Sequence, residues 1–456
     1  MLNYIWLGLI VCAVLIGGWN GQLKEVAKSS LDMANMAVVG IAFTLIGVMA
    51  LWLGIMRLAE RAGLVALLAR VLGPIMRLIF PEVPPGHPAM GSMLMNIAAN
   101  LLGLNNAATP LGLRAMKDLE SLNPRPGTAT NAMCTFLAIN TSGIQLIPVT
   151  AIAIMVANKS VNPTAIVGPS LLCSTCGAVA GVLMAKFLST LPIFRVGLPG
   201  SSGSTAGQAP ANAPPVTTVI ATDKALVQEA ATLQPLEWWG SLILGAFLLF
   251  FAFLFLRLVF PPLFGLSVPA DEMGNNLFIR GLNAISVLAI PLLLSVIPLF
   301  AILRQVKVYE EFIGGAKEGF EVAIKIIPYL VAMLVAIGMF RAAGGIDLVS
   351  RVLTPVLNFL HFPLPADLLP MVLVRPLSGS GSLGFFTELV KNFGPDSLVA
   401  RMAGTIYGST ETTFYVLAVY FGSVAITRTR HAVLAGLTAD CVGVVAAVFI
   451  CRLLFT

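Results

Sequence analysis

Charged side chains are scarce in this sequence. Asp, Glu, Lys and Arg together account for 11% of its 456 residues, whereas soluble domains carry about 25%. A chain of this length needs more charges than that to cover a surface that faces water, because charged residues are mostly exposed. The shortage therefore excludes an ordinary soluble protein and predicts a polytopic integral membrane protein.

Histidine is rarer still, with three in the whole chain. His87, His361 and His431 lie at loops or at the ends of apolar runs, so they form no metal-binding constellation. The six cysteines include a CxxC pair, Cys173 and Cys176, which lies in an apolar helix without a second pair. Packing is therefore favoured over metal or redox chemistry for these two thiols.

The motifs of common catalytic and nucleotide-binding sites are also missing. The sequence has no P-loop, no GxSxG nucleophile elbow and no identifiable pair of nucleophile and base. We therefore expect no enzymatic activity, no cofactor and no metal. Without an ATP-binding motif, any transport would draw on an ion gradient or on the gradient of the solute itself.

Apolar residues dominate instead. They make up 57% of the chain and give a mean hydropathy of +0.92. They occur in long blocks, and a helix needs about 20 mostly apolar residues to cross a bilayer. The surplus of basic residues gives a net charge of +6, but these residues lie at the ends of the apolar blocks, as the positive-inside rule requires. Nucleic acid is therefore not expected as a partner.

The apolar blocks predict an all-α transmembrane bundle of about ten spans, together with two irregular hairpins. The blocks cover about 4–19, 36–56, 131–156, 166–188, 238–260, 282–303, 323–340, 412–426 and 433–454. After the second block, Arg57, Arg61, Arg70 and Arg77 form a basic amphipathic stretch. We interpret this stretch as an interfacial elbow with its arginines toward anionic head groups.

One segment has a different composition from the rest. Residues 196–235 are rich in Gly, Ser, Pro and Ala, a composition that buries too little apolar surface to offset the entropy of ordering. We predict a flexible linker there. It divides the chain into a first half, 1–195, and a second half, 236–456.

The two halves share a weak internal repeat. Residues 53–57 resemble residues 337–341, and residues 70–74 resemble residues 351–355. In both halves a Pro-rich turn and a polar-interrupted apolar segment follow in the same order. Secondary transporters are often built from paired repeats whose broken helices mark the substrate site. The repeat therefore favours a transporter architecture with one site between the two halves.

The first polar cluster lies in the interrupted segment of the first half. Its members are Asn96, Asn100, Asn105, Asn106 and Thr109. Amides at membrane depth either hold helices together or line a polar path. Helix contacts would explain one or two of these side chains, whereas the whole run favours a cavity for substrate binding.

The second cluster is the corresponding segment of the second half, with Arg375, Ser378, Ser380 and Ser382 interleaved with glycine. Small residues with free backbone amides suit an anion or carboxylate nest, to which Arg375 would add its charge. The alternative is that Arg375 extends to the membrane surface while the glycines permit close packing.

The third cluster, Ser409, Thr410, Glu411 and Thr412, lies inside a later apolar run of the second half. Ionisable groups at membrane depth are costly and indicate function by default. Glu411 is therefore a candidate proton or cation coupling site. A structural ion pair with Arg375 is the alternative.

The first half has an uncharged counterpart to this third cluster. It consists of Asn140, Thr141, Ser142 and Gln145, which we assign to substrate binding together with the other clusters. Any charge-based role would then belong to the second half. Asp440, inside the last apolar run, is a weaker candidate on the same grounds.

Four stretches carry a resemblance to a known family. Residues 100–116 and 131–148 resemble the signature of spore maturation protein A, and residues 375–382 and 408–415 resemble that of spore maturation protein B. The chain thus resembles a fusion of the two with two nucleoside-recognition (Gate) domains. The resemblance implies a bacterial inner-membrane protein and a possible homodimer. Gate domains also occur in concentrative nucleoside transporters and ferrous-iron permeases, which supports transport by analogy.

Two classes of function follow from these observations. The first is a transporter or permease that passes a small polar or anionic solute through a central site between the two Gate repeats, with the lipid bilayer, the solute and a coupling ion as partners. The second is a non-transporting membrane scaffold or regulator of envelope or spore maturation. The scaffold predicts tolerance of changes at Asn100, Asn105, Arg375 and Glu411, whereas the transporter predicts loss of function.

Overall fold

A computed structural model of the chain describes residues 2–84, 86–103, 105–194, 236–267, 277–345 and 363–455, together with 347, 348, 351 and 355. The predicted linker 196–235 and His361 lie outside the described residues. The side chains of Asn105 and Asn106 also lie outside them, although both residues are part of a helix.

The described residues form helices throughout, as the apolar blocks predict. No strand forms among them, and a single isolated bridge joins Thr128 to Arg428. The helices of the first half are α1 (Leu2–Trp19), α2 (Leu23–Asn35), α3 (Phe43–Arg61), α4 (Leu64–Ile79), α5 (Pro88–Leu101), α6 (Asn105–Glu120), α7 (Asn131–Thr141), α8 (Val149–Ala157) and α9 (Val167–Thr190). A π-helical segment, Met36–Ala42, joins α2 to α3.

The second half continues in the same manner. Its helices are α10 (Trp238–Val259), α11 (Leu277–Leu303), α12 (Val308–Ala342), α13 (Leu369–Val374), α14 (Gly379–Phe393), α15 (Leu398–Ser409), α16 (Thr413–Gly422) and α17 (Ala432–Phe455). Short 3-10 turns follow α9 and α10 and precede α13.

Several helices are long and apolar enough to cross a membrane. Five qualify among the described residues: the continuous unit Leu23–Arg61 and the helices α9, α10, α11 and α17. Shorter apolar helices cover Trp6–Trp19 and Leu330–Ala342. The protein is therefore a multi-pass helical membrane protein, and the predicted fold class is confirmed.

Neither of two blocks that we predicted as single spans forms one helix long enough to cross. The block 131–156 forms α7, of 11 residues, and α8, of 9 residues. The block 412–426 forms only α16, of 10 residues, which follows α15, of 12 residues. Each helix is too short to cross alone, because a crossing needs about 20 residues. These paired short helices explain why fewer helices than ten satisfy the length criterion.

The two polar-interrupted segments fold as the predicted hairpins. In the first half, α5 and α6 pack against each other and turn at Leu102 and Gly103. In the second half, α13 and α14 turn at residues 375–378. The first hairpin turns where Gly103 adopts a positive φ of 75°. The second turns at Ser378, whose side chain caps the start of α14.

The predicted interfacial elbow is only partly correct, because Arg70 and Arg77 lie in α4, whereas Arg57 and Arg61 lie in α3 and pair with Glu311 of α12 instead of facing head groups. Gly63, with a φ of 74°, ends α3 and lets the chain turn into α4. The outer face of α4 carries the exposed side chains of Leu67, Val71, Ile75 and Leu78, which are spaced four, four and three residues apart. Such a strip of exposed apolar residues on an amphipathic helix with Arg70 and Arg77 is typical of a helix that lies at a membrane surface.

The two halves interleave into one bundle. Helix α12 of the second half lies along α3 of the first, and α17 of the second half lies along α9 of the first. Glycines permit this closeness: a Cβ on Gly315 would lie 2.4 Å from the Leu53 carbonyl oxygen, and one on Gly177 would lie 2.9 Å from the Ala439 carbonyl oxygen. Small residues of this kind let membrane helices approach backbone to backbone.

Candidate functional site

The two broken helix pairs meet where their chains are interrupted. We call residues 142–148, between α7 and α8, the first break, and residues 410–412, between α15 and α16, the second break. The Glu411 backbone N–H donates to the Thr141 carbonyl oxygen at 2.9 Å. A Cβ on Gly143 would lie 2.9 Å from Glu411 Cγ. The breaks therefore cross in direct contact, one from each half of the chain.

Local sequence explains why the helices stop there. Gly143 adopts a φ of 55°, in the left-handed region that glycine reaches without a steric penalty. Thr410 is extended, with φ −136° and ψ 158°. The backbone groups freed by these breaks need partners, because no lipid group can hydrogen-bond to them. The contact between Glu411 and Thr141 supplies one such partner from the opposite half.

Asparagines tie the first hairpin to the first break. Asn100 Nδ2 donates to Asn140 Oδ1 at 2.8 Å, and Asn96 Nδ2 donates to the Ala108 carbonyl oxygen at 2.7 Å. Tyr420 of the second half lies between them, 3.3 Å from both Asn96 Nδ2 and Asn140 Oδ1. The structure thus joins Asn140 to Asn96 and Asn100, which the sequence placed in a different cluster.

Arg375 ties the second hairpin to the second break. It is 4% exposed, and its Nε donates to Thr410 Oγ1 at 3.0 Å. Its Nη2 donates to the carbonyl oxygens of Tyr407, at 2.9 Å, and of Thr410. The guanidinium also lies 4.3 Å from the centre of the Tyr407 ring.

These contacts bear on the structural ion pair with Glu411 that we considered as an alternative. Among the ion pairs of the described residues, none joins Arg375 to Glu411. The guanidinium is instead satisfied by neutral oxygen atoms at the C-terminal end of α15, where a cation is also favoured by the helix dipole. Arg375 therefore holds the hairpin in place.

The serines of the predicted anion nest bond mainly to their own hairpin. Ser378 Oγ accepts from the Gly381 N–H at 2.9 Å and caps α14. Ser382 Oγ donates to the carbonyl oxygens of Ser378 and Gly379, at 2.9 and 3.0 Å. Ser380 Oγ lies 3.4 Å from Ser378 Oγ.

The hairpin tip also contacts the second break. The Phe414 N–H donates to the Pro376 carbonyl oxygen at 3.0 Å. A Cβ on Gly379 would lie 3.1 Å from Thr412 Oγ1, so the absence of a side chain at Gly379 lets Thr412 approach. In each half, therefore, the tip of a hairpin rests on the break of a helix.

Glu411 and Gln145 are two polar side chains that remain partly exposed at the crossing. Gln145 Nε2 lies 3.4 Å from Glu411 Oε1 and donates to it across the two breaks. Both side chains have intermediate exposure, whereas Ser409, Thr410 and Thr412 are buried. A carboxylate and an amide thus face the same accessible point inside the bundle.

The remaining predicted site residues play smaller parts in this geometry. Thr141 and Ser142 donate back to the carbonyl oxygens of Ala138 and Ile139, which ends α7. Thr109 is half-buried in α6. In the described part of the chain no group of three or more His, Cys, Asp or Glu side chains is arranged to hold a metal ion.

Two tyrosines that the sequence analysis did not assign to the site contact its residues. Tyr420 and Tyr407 lie in apolar runs, and no spacing distinguishes them from other aromatic residues at a helix surface. The hydroxyl of Tyr420 contacts Asn140 and Asn96, which lie 280 and 324 positions away in the sequence. The one available signal is a tyrosine within an apolar run. Its hydroxyl needs a hydrogen-bond partner there, because buried tyrosine hydroxyls usually find one.

Comparisons with known proteins agree with this arrangement. The Gate family model, described as nucleoside recognition, matches residues 42–159 and 323–427. Each of these regions contains one hairpin and one broken helix pair. No solved structure matches the chain.

Two relatives from Bacillus subtilis (strain 168) match the chain closely. Spore maturation protein A is 42% identical over 187 residues, which are 41% of this chain and 95% of the relative. Spore maturation protein B is 45% identical over 174 residues, which are 38% of this chain and 97% of the relative. The chain therefore belongs to the spore maturation protein A and B family, with both kinds of protein and two Gate regions joined in one membrane chain.

Proposed function

We propose that this chain is a permease of the bacterial inner membrane, which passes a small polar solute through the crossing of its two breaks. The observation that carries the proposal is that crossing, where Glu411 and Gln145 remain partly exposed. Interrupted helices at membrane depth are tolerated only where protein buries them or a cavity accepts them. Transporters built from repeats place their substrate sites at such interruptions.

The charges at the crossing favour one class of solute. Most of the donors of Arg375 are engaged by neutral oxygens of the protein, so few are left for an anion. Glu411 contributes a partly exposed carboxylate, and Gln145 contributes an amide. Among the polar and anionic solutes that we considered, a neutral solute rich in hydrogen-bond donors fits best. A nucleoside has this character, in agreement with the description of the Gate model.

A thermal-shift screen of the purified protein in detergent tests the proposal. The ligands are nucleosides, dicarboxylates, amino acids, dipeptides and divalent cations. A ligand that binds only the folded state stabilises that state by mass action, by about 2.7 kcal/mol at one hundred times its dissociation constant, and so raises the melting temperature. We expect a nucleoside to stabilise the wild type and dicarboxylates to leave it unchanged.

Glu411→Gln is the decisive variant, because it keeps the shape of the side chain and removes its charge. We expect it to fold and to lose the stabilisation by the ligand. Glu310→Gln is the matched control, since Glu310 is an exposed carboxylate at the start of α12. If no ligand stabilises the wild type, and Glu411→Gln still complements a strain that lacks the gene, the permease is refuted in favour of a membrane scaffold or regulator.

A further inference from the structure

A second carboxylate lies at the crossing and has no part in the proposed solute site. Asp440, in the last helix α17, is 5% exposed. Thr413, the first residue of α16, donates its hydroxyl to Asp440 Oδ2. The other oxygen, Oδ1, is buried and has no hydrogen-bond partner among the described residues. Such an oxygen is costly inside a protein unless something binds to it.

Two glycines on the same face of α17 locate Asp440 between the two breaks. A Cβ on Gly436, one turn before Asp440, would lie 2.9 Å from Thr413 Cγ2 and 3.3 Å from Thr141 Oγ1. A Cβ on Gly443, one turn after it, would lie 3.2 Å from Thr410 Cγ2. Residues four and three positions apart share a helix face, so the Asp440 carboxylate faces the crossing.

Among the described residues, no basic group lies within ion-pair distance of this carboxylate. Among the ion pairs of the described residues, none includes Asp440, and the charged groups whose fields reach it are Arg375 and Glu411. Arg375 is already engaged by Thr410 and Tyr407, and Glu411 carries the same charge as Asp440. A buried ionised carboxylate without a paired cation costs several kcal/mol.

Glu388 provides a direct comparison within the same bundle. It lies in α14, is 2% exposed and forms an ion pair with Arg341. Its Oε1 also lies 3.2 Å from Asn392 Nδ2. These two carboxylates are similarly buried, but among the described residues Glu388 has an ion-pair partner and Asp440 has none.

We propose that Asp440 binds an exchangeable monovalent cation, a proton or Na⁺, with the Thr413 hydroxyl beside it. This inference rests on the proposed permease function, because it supplies the coupling ion of that permease. The cation neutralises a carboxylate that bonds to Thr413 beside the second break, on a helix face whose glycines pack against Thr141 and Thr410. Its release leaves an unpaired charge there, so the occupied and empty states favour different contacts between the breaks, as coupling requires.

Carbodiimide modification tests this proposal without a solute. Dicyclohexylcarbodiimide adds across a protonated carboxylic acid: the acid proton moves to one nitrogen, and the carboxyl oxygen bonds to the central carbon. The O-acylisourea rearranges to an N-acylurea that retains the whole reagent, so nothing leaves. The full chain in detergent is treated between pH 5 and 9, and the peptides that contain Asp440 and Glu388 are quantified by mass spectrometry.

We expect Asp440 to be modified and Glu388, paired with Arg341, to remain unmodified. The yield at Asp440 falls by about tenfold per pH unit once the acid ionises. A parallel series replaces choline chloride by NaCl at constant ionic strength. Protection by Na⁺ identifies Na⁺ as the cation, and a yield that depends on pH alone identifies the proton.

The proposal is overturned if Asp440 stays unmodified at every pH in the folded protein while the denatured chain is modified. It is also overturned if the yield depends on neither pH nor Na⁺. The measurement uses the wild-type carboxylate, so it does not depend on whether Asp440→Asn folds; that variant only confirms the assignment of the peptide. Because no solute is involved, failure here is separate from failure of the solute screen.

Discussion

The contacts of Arg375 depend on the geometry of its guanidinium as well as on its charge. Three of its hydrogen bonds reach two residues of the same helix end, Tyr407 and Thr410, and a fourth reaches Ser382 at 3.5 Å. The planar fork of arginine presents several donors in fixed directions, whereas lysine offers a compact point charge. A buried carbonyl oxygen that loses its donor costs about 1–3 kcal/mol.

We therefore expect Arg375→Lys to destabilise the protein by about 2 kcal/mol although the charge is retained. The measurement is thermal unfolding of both proteins in the same detergent without ligand. Lys391→Arg is a control for a change of basic side chain elsewhere in the same hairpin. A variant Arg375→Lys with the melting temperature of the wild type would show that the charge alone matters at this position.

At the scale of elements, two surface loops from opposite halves are joined by Asp396. Its Oδ1 accepts from Ser160 Oγ and its Oδ2 accepts from the Val161 N–H, both at 2.8 Å. Partial burial raises the pKa of Asp396, but these hydrogen bonds and that from Arg401 outweigh it, so the pKa is lowered from its ordinary value. The loop that precedes α9 is thereby tied to the loop that precedes α15.

This link predicts a pH dependence of stability. The pKa of Asp396 is lower in the folded state, so the unfolded chain takes up a proton first as the pH falls. The stabilisation is complete above about pH 4, the ordinary pKa range of aspartate, and is lost as the pH falls further through the folded-state pKa. We expect Asp396→Asn to cost about 1 kcal/mol at pH 7 and less at pH 3. The check is to measure the melting temperatures of the wild type and of Asp396→Asn between pH 3 and pH 7. A difference between the two proteins that stays constant over this range would contradict the prediction.

At the scale of the whole molecule, the two halves behave as two proteins that share one bundle. The breaks of α7–α8 and α15–α16 come from different halves and touch at Thr141 and Glu411. The long contacts of α3 with α12 and of α9 with α17 also join the halves. In Bacillus subtilis the matching sequences are two separate proteins, each covered almost completely by this chain.

We expect residues 1–195 and 236–456, produced together as separate chains, to assemble into one complex. The contacts between the halves bury apolar and polar groups that neither half can satisfy alone, so each half stabilises the other. The check is purification by a tag on one half, followed by detection of the other half at equal amount. As a control, Gly315→Leu inserts a side chain where a Cβ would lie 2.4 Å from the Leu53 carbonyl oxygen. Recovery of the tagged half alone, without that substitution, would contradict this expectation.

The sequence by itself determined the membrane character, the all-α class, the two hairpins and the positions of the polar interruptions. Each of these depends on local properties: the length of an apolar block, a glycine such as Gly103 with positive φ, or a capping residue such as Ser378. A bilayer makes such properties decisive, because every backbone group must be satisfied within its own segment or by a close neighbour.

Only the tertiary structure decided which interruptions meet. The contact between Asn140 and Tyr420 joins residues 280 positions apart, and nothing in either local pattern selects the other residue. The same holds for Arg375, whose partners include the carbonyl oxygens of a helix end, and for Asp440, whose carboxylate accepts from Thr413 of another helix. Partners of this kind are set by how the two halves interleave, and backbone oxygens carry no sequence signal that would reveal them in advance.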